Sequence, residues 1–163
     1  MNPFRRLLPA VAAVALVACA GVARVPVGAD EAQLRAALGE PALVLPDAAG
    51  GRLLAFPTGP QGTQTHMARL GPDGRLVAVE QVLDEDRFAM IQAGVTTQDE
   101  LLRLIGPPWR RVDFPNLRQV AWDYRFVDAW GYLADLSVML DERRRVAGKV
   151  TVRIDPRSDG GRD

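Results

Sequence analysis

Two segments of the chain, residues 30–41 and 97–108, share a pattern of apolar and polar positions that predicts a short amphipathic helix. Each begins with a capping side chain and has Gln or Glu three residues later, the spacing of a capping box. Apolar residues at i, i+3 and i+4 would form one buried stripe, before a glycine in a left-handed cap and a proline just beyond. At one constant offset, Asp30, Gln33, Leu34, Ala37, Leu38, Gly39 and Pro41 superpose on Thr97, Glu100, Leu101, Leu104, Ile105, Gly106 and Pro108.

Downstream of the second segment, strict alternation of apolar and polar residues predicts β-strands. Three runs place apolar side chains on one face: Val120, Trp122, Tyr124 and Phe126; Ala134, Leu136, Val138 and Leu140; and Val146, Gly148, Val150, Val152 and Ile154. With a fourth strand around residues 110–114, they would form an antiparallel meander that needs one face covered. The helix at 97–105 and a shorter one over residues 84–93 would cover that face.

The first half repeats these strands in weaker form. Ala55 and Phe56 match Ala121 and Trp122 at nearly the same offset, and the segment around the Asp73-Gly74 turn matches residues 138–150 at a slightly larger one. The sequence therefore predicts an α+β fold of two tandem repeats, each with one or two short helices packed on a three- to four-stranded antiparallel sheet. We place the first, degraded unit at 28–83, the second at 84–154, and a flexible tail at 155–163.

The N-terminus predicts export. Arg5 and Arg6 precede an apolar run over residues 7–18, the order that is typical of a secretion signal. The run is too short for a membrane-spanning helix, which needs about 20 residues. Leu-Val-Ala-Cys, ending at the only cysteine, Cys19, resembles the bacterial lipobox. That resemblance implies a signal peptide at 1–18, a lipid anchor on Cys19 and a tether at 19–27. Cleavage by ordinary signal peptidase after Ala20 is the alternative and would discard the cysteine.

Charge argues against nucleic acid as a partner. The chain has 20 basic and 20 acidic residues, and loss of the signal with its two arginines leaves a slight acidic excess. Neither nucleic acid nor an anionic lipid surface would attract such a chain strongly.

Candidate catalytic or metal-binding residues are few. His66 is the only histidine, and it lies on the apolar face of a predicted strand, where a packed histidine is the commoner role. It has no second histidine or thiolate with which to form a transition-metal site. Asp84, Glu85 and Asp86 suit the N-terminus of a helix, with a divalent-cation site as the alternative. We therefore expect no enzymatic activity, no cofactor and no metal.

Three aromatic residues are candidates for partner contact. Trp130 and Tyr132 fall in the turn between two predicted strands, and Trp109 follows the Gly-Pro-Pro stop of the second helix. Exposed aromatic side chains supply large contact area at low entropic cost. The alternative is that they fold back over the sheet edge.

The segments "IQAGVTTQDELLRLIGPPW" and "VAWDYRF" resemble the BamE (SmpA/OmlA) family of lipoproteins. The residues that carry the resemblance are Gly94, Thr96, Leu101, Ile105, Gly106, Pro108, Trp122 and Tyr124. It covers residues 84–154 fully, and it implies a lipid-anchored, non-enzymatic protein at the periplasmic face of the outer membrane. Its partner would be another envelope protein, with β-barrel assembly components as candidates. Ala20, next to the cysteine, is compatible with sorting to that membrane.

A tandem of such units is more distantly similar to the β-lactamase inhibitory protein, a secreted binder. This similarity implies the alternative function of a secreted or tethered inhibitor or ligand-binding module.

Overall fold

The computed structural model describes residues 25–59 and 62–154 and contains two separate four-stranded antiparallel sheets, each with its strands in chain order. The first unit consists of α1 (Glu31–Leu38), β1 (Leu43–Pro46), β2 (Arg52–Thr58), β3 (Gln64–Leu70) and β4 (Leu76–Gln81). The second consists of α2 (Glu85–Ala89), α3 (Gln98–Ile105), β5 (Arg110–Phe114), β6 (Gln119–Val127), β7 (Leu133–Asp141) and β8 (Val146–Arg153). The predicted α+β class, with two tandem units on sheets, is confirmed. The predicted signal peptide, Cys19 and the tail at 155–163 lie outside the described residues.

Both predicted capping boxes form at the N-termini of α1 and α3. Asp30 accepts from the Gln33 N–H at 2.9 Å, and the Gln33 side chain accepts from the Asp30 N–H at 3.0 Å. Thr97 and Glu100 repeat the arrangement, with the Thr97 N–H donating to Glu100 at 2.8 Å. Each box satisfies N–H groups that the first helical turn leaves without a partner.

The two helices end at Gly39 and Gly106, as predicted, but not in a left-handed cap. Their φ angles are 84° and 77°, while their ψ angles are −164° and −165°. This is an extended conformation that is essentially restricted to glycine. It turns the chain away from the helix axis and into the first strand of each sheet.

The repeat extends to a β-bulge that the sequence pattern did not predict. Within β4 the pairing shifts opposite Arg69 and Leu70, and within β8 it shifts at the corresponding place, opposite Met139 and Leu140. The bulges equate Leu70 with Leu140, and the residues that pair with these two leucines align β2 with β6. Phe56 therefore corresponds to Tyr124 and not, as predicted, to Trp122. Because Trp122 and Tyr124 lie on the same face of β6, this correction leaves the inward-facing side chains unchanged.

The bulge overturns the predicted face of β8. Val146 is buried at 1% exposure, but Val150 and Val152 are 54% and 58% exposed. The extra residue before Gly148 shifts the alternation by one, so the valines lie on the opposite face of the sheet from Val146. Lys149, Thr151 and Arg153 take the inward positions that the sequence pattern assigned to apolar side chains.

The inner face of the second sheet, which we define as the face covered by its own helices, forms the larger core. Leu101 and Ile105 from α3 pack there with buried side chains of β6 and β7. From α2, Phe88 meets Phe126 edge to face at 4.8 Å between ring centroids. Lys149 donates to the backbone carbonyls of Phe88 and Ile91, where a cation stabilises the end of the short helix.

The first sheet is buried on both faces. Its inner face holds Leu54 and Phe56 against α1, while Leu53, Ala55 and Met67 are buried on the outer face. The end of α3 lies against this outer face. A Cβ placed on Gly106 would stand 2.9 Å from Thr65 Cγ2 and 3.6 Å from Ala55 Cβ. Arg103 also donates to the carbonyl of Pro46 at 2.6 Å, so the second unit covers the sheet of the first.

Candidate functional site

The loop between β6 and β7 is built around one carboxylate. Asp128, 7% exposed, accepts the backbone N–H groups of Trp130 and Tyr132, each at 2.9 Å. Its other oxygen accepts from Arg153 Nε at 2.5 Å. Gly131, with φ 83°, closes the turn by donating to the Asp128 carbonyl at 2.9 Å. We call residues 128–132 the aromatic loop.

The hydrogen bonds to Asp128 also control its charge. Burial raises the pKa of the Asp128 carboxyl, but hydrogen bonds from the Tyr132 and Trp130 N–H groups and from the Arg153 guanidinium outweigh it and leave the pKa below its ordinary value. The carboxylate is therefore ionised at neutral pH and holds the loop in one conformation.

The aromatic loop presents its two aromatic side chains to solvent. Trp130 is 77% exposed and Tyr132 56% exposed. The Tyr132 ring lies 5.0 Å from the Arg153 guanidinium, and within the described residues neither ring stacks on another aromatic ring. Trp130 therefore does not fold over the sheet edge, which was the alternative. Tyr132 contacts the edge strand through Arg153, but more than half of its side chain stays exposed.

Trp109, the third predicted contact residue, occupies a different environment. It stands between two cations, with the guanidinium carbons of Arg110 and Arg125 at 4.9 and 4.4 Å from its ring. Its side chain is 42% exposed and lines a small cavity between the units together with Thr65 and Leu83. Trp109 therefore contributes to packing between the units, and its exposed edge is smaller than that of the aromatic loop.

Beside the aromatic loop, the outer face of the second sheet is open and carries paired charges. Asp123, 3% exposed, accepts from Arg110 Nε at 2.8 Å and from Ser137 Oγ at 2.6 Å. Arg125 and Asp135 form a bidentate pair at 2.9 and 3.0 Å. We call these five residues the polar ladder.

Three residues of the polar ladder occupy positions that are apolar in the first sheet. The strand registers place Arg110, Asp123 and Ser137 where the first unit has Leu43, Ala55 and Met67. Apolar residues share the ladder's face, among them Val112, Val127, Leu133, Met139, Val150 and Val152. The first sheet thus packs against α3 through apolar side chains, whereas the second presents satisfied charges flanked by apolar residues.

Asp84 and the histidine have structural partners, and the other two acidic residues line a cleft. Asp84 caps α2 by accepting the Arg87 N–H at 2.8 Å, as the sequence predicts, and Glu85 and Asp86 line an open cleft with Val127. His66 is half-buried, with Nδ1 2.9 Å from Thr58 Oγ1, and burial lowers its pKa. Within residues 25–59 and 62–154, no three His, Cys, Asp or Glu side chains come together to hold a metal ion.

The sequence pattern located the aromatic loop but not the surface beside it. The pattern of aromatic residues does not reveal the Asp128 anchor, although an aspartate that bonds the backbone two residues on is a common turn-forming signal. The exposed valines of β8 were assigned to the core, because a bulge shifts strand periodicity without changing composition.

Comparisons with known proteins do not assign this chain to a family. No protein-family model matches the sequence, and no curated protein matches it. A DUF4309 family protein (YjgB) from Bacillus subtilis subsp. subtilis str. 168 aligns over 77% of this chain and 78% of its own, with 17% sequence identity and a TM-score of 0.30. In the part of the chain that the structure describes, no helix is long and apolar enough to cross a membrane.

Proposed function

We propose that this protein is a non-enzymatic binding module of the bacterial envelope, held by lipid on Cys19 at the periplasmic face of the outer membrane. It contacts another envelope protein through the aromatic loop. Through that contact it assists outer-membrane protein assembly or envelope integrity. The BamE resemblance of residues 84–154 and the lipobox order around Cys19 support the location.

One observation carries the binding proposal. Trp130 and Tyr132 are 77% and 56% exposed on a loop whose backbone is fixed by Asp128. A rigid loop loses little conformational entropy when it binds, and aromatic side chains dominate the energy of protein interfaces. Left in solvent, neither ring gains the free energy that burial would provide.

The binding proposal is tested by photo-crosslinking in intact cells. A photoreactive residue replaces Trp130 in one variant and the exposed Ala48 of the first unit in a control variant. We expect discrete protein adducts from position 130 and none from position 48. Adducts with lipid only, or the same adducts from both positions, would contradict the proposal.

The identity of the adducts separates the assembly role from inhibition. β-Barrel assembly components favour the assembly role, and a single soluble enzyme favours the inhibitor that the likeness to the β-lactamase inhibitory protein suggests. Trp130→Ala and Tyr132→Ala are suitable companions, because Asp128 holds the loop through backbone N–H groups that both substitutions retain.

The anchor is tested separately. Cells labelled with a radioactive fatty acid should label the parent protein and leave Cys19→Ser unlabelled. An unlabelled parent would contradict the lipid anchor.

A further inference from the structure

The last strand, β8, is an edge strand with backbone groups that point away from the sheet. Among the strands of the described residues its neighbour is β7, and the Ile154 N–H donates to the Leu133 carbonyl at 2.8 Å. In an antiparallel pair the hydrogen-bonded positions alternate, so Val152 and Val150 also bond to β7. The N–H and C=O groups of Lys149, Thr151 and Arg153 consequently face outward.

The same edge is already used by the chain at its beginning. The Val146 N–H donates to the Thr96 carbonyl at 2.9 Å, and its carbonyl accepts from the Gly94 N–H at 2.7 Å. Residues 94–96 therefore lie against β8 as a short added strand. Further along, no backbone partner for Lys149, Thr151 or Arg153 is present among residues 25–59 and 62–154. The edge continues for three outward positions beyond the one that is covered.

The other last strand, β4, offers less. By the same alternation its outward positions after the bulge are Val79 and Gln81. The Gln81 side chain is engaged with the backbone of Thr65 and Leu83, which fixes the chain as it leaves the strand.

The side chains of β8 define what could pair with it. Val150 and Val152 are 54% and 58% exposed on the outer face. The edge is also basic, because no carboxylate pairs with Lys149, or with Arg143 and Arg144 in the preceding turn, in the described part of the chain. Arg153 differs from these three, since it has an acidic partner in Asp128.

A second copy of this chain fits the edge poorly. Antiparallel self-pairing centred on Thr151 would set Lys149 opposite Arg153, and β8 itself contains no carboxylate that could face Lys149. The charge pattern instead favours a segment that carries acids.

We propose that β8 binds an extended segment of another protein as an added strand, with acidic residues beside Lys149 and apolar residues beside Val150 and Val152. This inference rests on the proposed function, for which it supplies the mode of contact. Main-chain hydrogen bonds provide affinity in such strand addition, and alternate side chains provide specificity. The aromatic loop lies at the end of the same edge, because Arg153 touches both Asp128 and the Tyr132 ring.

The test uses Thr151→Pro in the full chain. Proline removes the outward N–H of residue 151 without removing a hydrogen bond to β7, and edge strands tolerate proline at such positions. Thr151→Ala is the matched control, since it loses the same side-chain hydroxyl and keeps the N–H. The probe is a short synthetic peptide of alternating glutamate and valine, compared with one of alternating lysine and valine.

We expect the glutamate peptide to bind the parent and Thr151→Ala equally, about tenfold more tightly than the lysine peptide. It should slow amide exchange at Lys149, Thr151 and Arg153 in the parent, and Thr151→Pro should lose about tenfold or more in affinity. Equal binding by Thr151→Pro and Thr151→Ala, or binding without protection of those amides, would overturn strand addition. Failure of the glutamate peptide to bind, while protein adducts still form from position 130, would refute this inference and leave the proposed function standing.

Discussion

Gly39 and Gly106 hold the same position in the two units but are constrained differently. Both have a φ near +80° with an extended ψ, a conformation that side chains avoid. A Cβ added to Gly39 would meet nothing within 4 Å, whereas one added to Gly106 would lie 2.9 Å from Thr65 Cγ2. The second glycine is therefore required by the packing between the units as well as by its own backbone.

We expect Gly106→Ala to destabilise the protein more than Gly39→Ala, by at least about 1 kcal/mol, because only the first forces a methyl group into packed atoms. Urea denaturation of both variants measures the difference. Thr65→Ser removes the nearest methyl group, so the double variant should recover part of the loss. Equal losses for the two glycine variants would show that the backbone conformation alone sets the cost.

Asp128 makes the aromatic loop sensitive to acid. Its pKa is lowered in the folded state, so its contribution is complete above about pH 5 and is lost as the pH falls through about 4 and below. At pH 7, Asp128→Asn should raise the amide exchange rates of Trp130 and Tyr132 about tenfold, because the loop loses its ionised acceptor.

The parent protein should show the same increase on acidification, whereas Asp128→Asn should respond little to pH at these two amides after correction for intrinsic exchange. Asp113→Asn serves as the control, because that exposed carboxylate on β5 makes no hydrogen bond in the described part of the chain. Unchanged exchange in Asp128→Asn would mean that the remaining backbone bonds suffice to hold the loop.

At the scale of elements, the sequence predicted what periodicity and capping chemistry determine. The capping boxes located the starts of α1 and α3, and the alternation of β7 located its four buried residues, which are all 3% exposed or less. The prediction for β8 was wrong because the bulge inserts one residue and exchanges the faces of the strand. Gly148, an isolated glycine inside the strand, is the one residue of this segment that indicates a bulge. The sequence pattern did not predict the polar ladder either. Its ion pairs join residues of neighbouring strands, and the strand register that brings them together is set only in the folded protein.

The exchanged faces of β8 are tested by replacing valine with alanine at two positions, one exposed and one buried. Val152→Ala should change the free energy of unfolding by less than about 1 kcal/mol, because that side chain is 58% exposed. Val138→Ala, on the buried face of β7 at 0% exposure, should cost about 2 kcal/mol. Urea denaturation at one pH compares them, and a cost at residue 152 close to that at residue 138 would place Val152 in the core.

At the scale of the whole molecule, the outer surfaces of the two units differ from the contact between them. The outer face of the first sheet accepts the end of α3, and the corresponding face of the second sheet carries the polar ladder. The surface of α1 is also charged, with Glu31 and Arg35 paired at 2.7 Å. Neither end of the pair therefore resembles the apolar seam between the units, and a third unit or another copy would not repeat that contact. Polar outer faces on terminal units keep other repeat proteins soluble in the same way.

Replacing residues of the polar ladder by their counterparts in the first sheet should allow the outer face of the second sheet to bind another copy of the chain. The triple variant Arg110→Leu, Asp123→Ala and Ser137→Met removes the buried acid with both of its partners, so no unpaired buried charge remains among these described residues. We expect concentration-dependent self-association in sedimentation experiments, where the parent stays at one size. Arg118→Leu with Glu142→Ala, a surface ion pair in two turns, is the control and should not associate. A triple variant that sediments like the parent would show that the ladder does not block this face.

The contact between α3 and the first sheet also imposes an order on biogenesis. The first unit can close its own fold once β4 exists, because Gly28 then donates to the Leu76 carbonyl at 2.8 Å. Leu53, Ala55 and Met67 stay uncovered until α3 has emerged and folded behind it. A chain that emerges N-terminus first, during synthesis or during the export we propose, consequently passes through a state in which the outer, apolar face of the first sheet is complete and uncovered. That interval is when a chaperone would be needed most.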